Sequence, residues 1–312
     1  MLSREAEELY WMSRNLERIE NLARILNVHE NLLLDLPTKI PFGWQPMILI
    51  TGRDDLFYEL YEKPDEKSVI RFMVGDTNNP SSLLSCIIHA RENVRTTRDI
   101  IPREAWELLN DLHHRVKNNL TTAIGRRGRY AFLNSIIGNI HQITGLLAGT
   151  MTHDQGYEFL QLGRKLERAD MTTRIIDVRS ANLIQQLETE LTPFDNIQWV
   201  SILKSLTAYQ MYRQYSRTRV RGALVLKFLL QTEEFPRSVA FCIANVKKCL
   251  LNLPKNELVL REVASLQRLN NNIDIEKLAK SGFHDHIDSL QSSLAALHTT
   301  IDKTYFLPEL RD

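Results

Sequence analysis

Hydrophobic residues recur along this chain with the period of an α-helix. In residues 9–26, apolar side chains fall on one arc of a helical projection and charged side chains fall on the opposite arc. Residues 160–178 divide in the same way. No stretch with a two-residue period is long enough to predict a β-strand. The pattern therefore predicts an all-α protein.

Capping signals and apolar spacing predict the remaining helices. Pro80, followed by Ser81 and Ser82, is typical of a helix start. The predicted segments are 81–100, 103–124 and 130–150, followed by 198–215, 222–231, 237–252, 256–271 and 283–305. The predicted connections contain Pro37, Pro41 and Gly43, and residues 63–67.

The second half of the chain repeats the first. Ser13-Arg14-Asn15-Leu16-Glu17-Arg18 matches Gly163-Arg164-Lys165-Leu166-Glu167-Arg168, 150 residues later. Pro80-Ser81-Ser82-Leu83 matches Pro236-Arg237-Ser238-Val239, 156 residues later, and the order of the matches is collinear. We therefore expect a pseudo-symmetric helical bundle formed by two tandem, diverged copies, residues 1–150 and 151–312. Because the connection near residue 150 is short, we expect the copies to pack as one compact domain.

The polar faces of the two copies share an arrangement of arginines and carboxylates. Its members are Arg14, Glu17, Arg18, Glu20 and Arg24 in the first copy, and Arg164, Glu167, Arg168, Asp170 and Arg174 in the second. A third segment of similar chemistry contains Arg91, Glu92, Asn93 and Arg95. A guanidinium group binds a carboxylate through two parallel N–H groups, which requires these residue types. Three interpretations stay open: a structural network between the copies, a ligand-binding pocket, and a solvated surface of weak ion pairs.

The motif predicts little acid–base catalysis. Arginines next to Glu17 or Glu167 would lower the pKa of the carboxyl group and make it a poor general acid. Arginine stays protonated, although it can hold a phosphate or carboxylate group. The chain has no metalloprotease, nucleophile-elbow, phosphate-loop or dinucleotide motif, and no Glu-x-x-His pair. We therefore predict no cofactor and no metal site, and we do not predict an enzyme.

Composition narrows the range of partners. The formal net charge of +1 provides no general attraction to nucleic acids or anionic membranes. No apolar run approaches the roughly 20 residues of a membrane span. A charged N-terminus and three cysteines without a CxxC pair are typical of a cytoplasmic protein.

Two matched surfaces carry opposite charge. Tyr58 and Tyr61 lie among acidic residues, whereas Tyr212 and Tyr215 lie among arginines. The basic surface could stack and pair with nucleic acid, or it could bind a partner protein. The balanced net charge favours a partner protein over nucleic acid.

Several motifs together resemble the Alpha-E family, a bacterial all-helical domain of unknown function with a Glu-Arg motif. They include Leu16-Glu17-Arg18, Glu20-Asn21-Leu22-Ala23-Arg24, Ala90-Arg91-Glu92-Asn93, Leu166-Glu167-Arg168-Ala169-Asp170 and Thr304-Tyr305-Phe306, and they extend over essentially the whole chain. The resemblance implies ATP-grasp-type and transglutaminase-like proteins as partners, because family members are typically encoded beside them.

We therefore expect an accessory or scaffold protein that binds an ATP-grasp-type ligase in a peptide- or amide-bond-forming system. The alternative is an enzyme or ligand-binding protein of the same pathway. In that case Arg14, Arg18, Arg164 and Arg168 would line a cleft for an anionic peptide or an acyl-phosphate.

Overall fold

A computed structural model describes residues 1–35, 43–184, 193–280 and 282–307. These ranges contain helices and no β-strand, which confirms the all-α prediction. The helices of the first part are α1 (Ser3–Asp35), α2 (Gln45–Thr51), α3 (Asp54–Leu60), α4 (Glu66–Val74), α5 (Leu83–Thr96), α6 (Arg103–Asn118), α7 (Leu120–Ile124) and α8 (Arg126–Thr150). They are followed by α9 (Gln155–Ile184), α10 (Pro193–Ser205), α11 (Tyr209–Ser216), α12 (Gly222–Gln231), α13 (Val239–Leu251), α14 (Glu257–Asn271), α15 (Ile275–Lys280), α16 (Phe283–Ile301) and a π-helical turn, Asp302–Phe306. The predicted connections at Pro37 and Pro41 lie outside the described residues.

Two predicted helices are each divided in two. The segment 103–124 breaks at Asn119, whose side-chain amide donates to the carbonyl oxygen of Arg115 at 2.7 Å. The segment 198–215 breaks at Thr207, which has a φ of 53°. A residue in this left-handed conformation cannot continue a right-handed helix. The single-helix predictions were therefore wrong at these two positions.

Side-chain caps explain several helix starts. Ser82 accepts a hydrogen bond from the Ser85 amide, and Ser238 accepts one from the Phe241 amide, both at 3.1 Å. Asp65 caps α4 by accepting from the Ser68 amide at 2.8 Å. Such caps satisfy amides that have no partner within the helix. The connection predicted at 63–67 is thus too long, because α4 already begins at Glu66.

The two longest helices, α1 and α9, lie side by side at the centre of the fold. Helix α1 also packs against α5 and α8, and α9 packs against α13 and α16. Buried apolar residues from both halves form one continuous core. Helix α8 ends at Thr150 and α9 begins at Gln155, so the halves are joined by residues 151–154. No helix among the described residues is long and apolar enough to cross a membrane.

A glycine allows α1 and α9 to approach closely. A Cβ atom at Gly163 would overlap the carbonyl oxygen of Tyr10 and the hydroxyl of Ser13. Further along the pair, Glu167 binds Arg18. Contacts therefore advance along both helices together, so α1 and α9 run in the same direction. This register brings the two copies of the Arg/Glu motif into contact.

Candidate functional site

The glutamates of each motif bind arginines of the other. Glu167 on α9 accepts hydrogen bonds from Arg14 Nε at 2.7 Å and from Arg18 Nε at 2.5 Å. Glu17 on α1 accepts from Arg168 Nε and Nη2 at 2.8 and 2.7 Å, and from Arg164 Nε at 3.1 Å. Both carboxylates are only 1% exposed. The contacts correspond to a network between α1 and α9 rather than to a solvated surface.

A second layer of the network surrounds Glu20, which is fully buried. Its Oε1 atom accepts hydrogen bonds from Arg24, from Arg237 and from the ring of His141 when its Nε2 carries a proton. Arg237 also donates to Glu17 Oε1 at 3.1 Å and to Asn21 Oδ1 at 2.9 Å. The guanidinium group of Arg237 thus connects the loop before α13 to two carboxylates of α1 through hydrogen bonds.

The carboxylates of the network stay ionised near neutral pH. Burial would raise the pKa of Glu167, but Arg18 and Arg14 together lower it to about 2. Burial also opposes ionisation of Glu17, and Arg168, Arg237 and Arg164 together still hold its pKa well below the ordinary value. Neither group can act as a general acid at neutral pH, because it carries no proton to donate.

The third predicted segment does not join this network. Arg91 donates to Asn110 at 2.9 Å, and Arg95 donates to Glu92 at 2.7 Å on the protein surface. Only Asn93 reaches α1, where its amide donates to Glu8 at 2.5 Å. Arg91, Glu92 and Arg95 thus lie apart from the contact between α1 and α9, because the partners of their side chains are on α5 and α6.

Sequence reasoning missed Arg237 as a member of the network. Its signal was present in the repeat, where Pro236-Arg237-Ser238 matches Pro80-Ser81-Ser82. Arg237 and Ser81 each stand directly before a capping serine, so the fold places them at comparable positions before α13 and α5. The two halves differ at this matched position, because the second half has a long basic residue where the first half has a small one.

A cleft opens on the Glu167 side of the network, and we name it the arginine cleft. It has a volume of about 240 Å³. Its polar lining consists of Arg14, Arg18, Arg53, Arg174, Glu167, Asp170, Thr51, Ser81 and His298. Arg174 donates through Nε to Asp170 at 2.9 Å and lies against α2, where a Cβ atom at Gly52 would be 2.7 Å from Arg174 Nη1. Arg53 lies between α2 and α3, and His298 lies on α16, so both reach the cleft from segments distant in sequence from α9 and were not predicted.

A short chain of polar groups runs behind the cleft. Arg14 Nη1 donates to the hydroxyl of Tyr10 at 3.2 Å, and this hydroxyl lies 2.9 Å from Nδ1 of His298. Burial and the charge of Arg14 lower the pKa of His298. The lowered pKa favours the neutral ring near pH 7, and Nδ1 forms a hydrogen bond with the Tyr10 hydroxyl.

Of the two tyrosines predicted on the basic surface, Tyr212 and Tyr215, only the second is exposed. Tyr212 is fully buried, and its hydroxyl accepts a hydrogen bond from the Arg221 amide at 3.3 Å. It cannot stack on a nucleobase. Tyr215 is 47% exposed, and Arg213, Arg217 and Arg219 are exposed beside it.

One cluster among the described residues has spacing that could suit a metal ion. Ligand atoms of Asp177, His284 and Asp288 lie within 4.8 Å of one another. His284 already contacts Asp177 at 2.7 Å and Asp288 at 3.6 Å. The hydrogen bond to Asp177 raises the pKa of His284, which favours an ion pair between these two residues.

Comparisons with known proteins agree with the motif. Residues 1–306 match the Alpha-E family, described as a predicted alpha-helical domain with a conserved ER motif. Uncharacterized proteins of Mycobacterium bovis and of two strains of Mycobacterium tuberculosis are 20% identical to the chain over 322 residues. The match covers 96% of this chain and 35% of each relative, so the chain spans about a third of their length. No solved structure matches the chain significantly. The chain belongs to the Alpha-E family.

Proposed function

We propose that this Alpha-E protein is an accessory protein that acts by binding a partner. The partner we propose is an ATP-grasp-type ligase of a peptide- or amide-bond-forming system, with transglutaminase-like proteins in the same system. The observation that carries the proposal is the mutual neutralisation of the motif. Because Glu17 and Glu167 are buried, ionised and bonded to arginines, they serve the contact between α1 and α9.

The relatives support a role beside other protein modules. In the mycobacterial proteins, the region similar to this chain is about a third of a longer polypeptide. A region joined covalently to others works at a high effective concentration next to them. We therefore propose that the Alpha-E region works in contact with other protein modules.

The tandem duplication and a cytoplasmic location belong to the same proposal. Contact between residues about 150 positions apart, such as Glu17 with Arg168 and Arg18 with Glu167, supports the repeat read from the sequence. Three free, buried cysteines fit a reducing compartment.

The surface best suited to the partner lies on α11 and the residues after it. Met211 and Tyr215 are 43% and 47% exposed there, among the exposed Arg213, Arg217 and Arg219. These arginines form no ion pair with other described residues. Arginine and aromatic side chains are enriched at protein interfaces, and a basic surface steers an acidic partner towards it.

The test is association of purified proteins. We expect the chain and an ATP-grasp-type protein from the same organism to form a complex at micromolar concentration in sedimentation velocity experiments. The double substitution Arg213→Glu with Arg219→Glu should weaken the complex at least tenfold, whereas Arg261→Glu, on the exposed face of α14, should leave it unchanged. Absence of a complex between the unsubstituted proteins would refute the proposal.

The alternative, an enzyme or ligand-binding protein of the same pathway, receives support from a different set of residues than expected. Arg164 and Arg168 bind Glu17 and do not line the arginine cleft. Arg14 and Arg18 line it together with Arg53 and Arg174. Of the expected clamp of Arg14, Arg18, Arg164 and Arg168, two residues thus line this cleft, and Arg53 and Arg174 lie beside them.

A further inference from the structure

The arginine cleft contains hydrogen-bond donors that the protein itself does not use. Arg174 donates through Nε to Asp170, while its Nη1 and Nη2 atoms have no acceptor among the described residues. The guanidinium group of Arg53 is exposed and also has no partner within the described ranges. Both residues line the same cleft. Convergent donors without acceptors are the arrangement expected for an anionic ligand.

The charge of the cleft exceeds what its own carboxylates neutralise. Arg14, Arg18, Arg53 and Arg174 face Glu167 and Asp170, which leaves two positive charges in surplus. Both carboxylates already accept hydrogen bonds from arginines of the cleft. A carboxylate ligand would bring one negative charge, whereas a phosphate monoester carries about −1.5 to −2 near pH 7. A dianion therefore matches the surplus better.

The dimensions of the cleft select a small ligand. Its volume of about 240 Å³ lies below the roughly 300–1,000 Å³ that is typical of pockets for drug-sized ligands. Leu22, Ile50 and Leu166 form apolar walls beside the arginines. Apolar walls strengthen the attraction between charges, because they replace water with a medium of lower polarizability. The space suits a phosphate group with a small organic substituent.

A comparison with the other side of the network explains why the cleft is open. Beside Glu17 and Glu20, the side chain of Arg237 occupies the space between α1 and the loop before α13. At the comparable position before α5 stands Ser81, which is too short to fill the space and lines the cleft instead. This difference leaves the Glu167 side of the network open to a ligand.

We propose that the arginine cleft binds a small dianion through a phosphate group, held by Arg174 and Arg53. Arg14 and Arg18 add positive charge behind the phosphate while they remain bonded to Glu167. The ligand class does not depend on the partner of the protein, so this proposal can fail while the complex with the ligase still forms.

The test is calorimetric titration with inorganic phosphate at constant ionic strength in chloride. We expect saturable binding at one site per chain, and acetate should bind at least about tenfold more weakly, which corresponds to ~1.4 kcal/mol. Arg53→Ala and Arg174→Gln should each weaken phosphate binding about tenfold or more. The control is Arg103→Ala, which removes a surface arginine with an 87% exposed side chain and should change nothing.

The sharpest variant is Ser81→Arg, because it fills the cleft while adding a positive charge. Loss of phosphate binding in this variant supports a site inside the cleft, whereas binding that is retained or strengthened shows general attraction to a basic surface and overturns the proposal. Circular dichroism establishes that the variant is folded, and Arg53→Ala provides the test if it is not. The proposal is also overturned if millimolar phosphate does not saturate the unsubstituted protein. Preferential binding of guanidinium ion would overturn it as well.

Discussion

Glu17 and Arg168 meet across the contact of α1 and α9, and Nε and Nη2 of the arginine each donate to one oxygen of the glutamate, at 2.8 and 2.7 Å. The arrangement is bidentate and almost completely buried. Removing one member of such a pair leaves the other as an uncompensated charge in the protein interior. The stability of the fold therefore depends on this contact in ways that can be measured.

We expect Glu17→Gln to lower the free energy of unfolding by about 3–5 kcal/mol, because Arg164, Arg168 and Arg237 lose their shared countercharge. Urea unfolding followed by circular dichroism measures the change. Glu92→Gln is the matched control, since Glu92 pairs with Arg95 at the surface and is 49% exposed. A surface pair contributes about 0–1 kcal/mol. Equal effects of the two substitutions would contradict the structural role of the network.

The network should make stability depend on pH in the acid range. The pKa of Glu167 falls from an ordinary value of 4.5 to about 2 in the folded protein. Between these values the unfolded chain binds more protons, so stability rises with pH. The contribution is complete above about 4.5 and disappears as the pH falls towards 2.

Urea unfolding at several pH values between 6 and 2.5 tests this dependence. We expect Glu167→Gln to reduce the slope of the free energy of unfolding against pH, in the acid range, by up to about 1.4 kcal/mol per pH unit. If the variant and the unsubstituted protein show parallel curves, the low pKa of Glu167 is excluded.

Gly163→Ala should destabilise the protein, because the added Cβ overlaps the Tyr10 carbonyl oxygen and the Ser13 hydroxyl. Overpacking of this kind costs about 1–3 kcal/mol. The control is Gly145→Ala in α8, where nothing lies within 4 Å of the added atom. This control should stabilise the helix by about 0.5–1 kcal/mol. Thermal unfolding of both variants measures the difference. If both substitutions stabilise the protein, α1 and α9 lie further apart than this structure shows.

The three cysteines should not react in the folded protein. Burial raises the pKa of Cys86 and of Cys242 to about 11, and that of Cys249 to about 12. A thiol-specific reagent at pH 8 should therefore label the native chain very slowly and all three thiols after denaturation. Ser289→Cys, on the exposed face of α16, provides a positive control. Rapid labelling of the native unsubstituted chain would show that at least one thiol is accessible.

Much of the fold could be predicted because helical periodicity is a local property. The helix start at Ser82 was visible as a capping residue type after Pro80, and the structure confirms it. The breaks at Asn119 and Thr207 were not visible, because each depends on the backbone conformation of one residue whose type does not require it. The short helices α2 and α3 escaped detection because seven residues are too few to show a period.

The sequence by itself determined the helical class, the recurrence of the motif and the residue types that arginine–carboxylate pairing needs. These properties depend on spacing within single helices, where neighbours three and four residues apart share a face. Only the tertiary structure decided that Glu17 binds Arg168 while Glu167 binds Arg18, and that Arg237 joins one side. It also decided that Ser81 leaves a cleft on the other side, reached by Arg53 and Arg174. The physical reason is that a contact between distant residues, and the space beside it, depend on how several helices pack and on the volumes of the side chains between them.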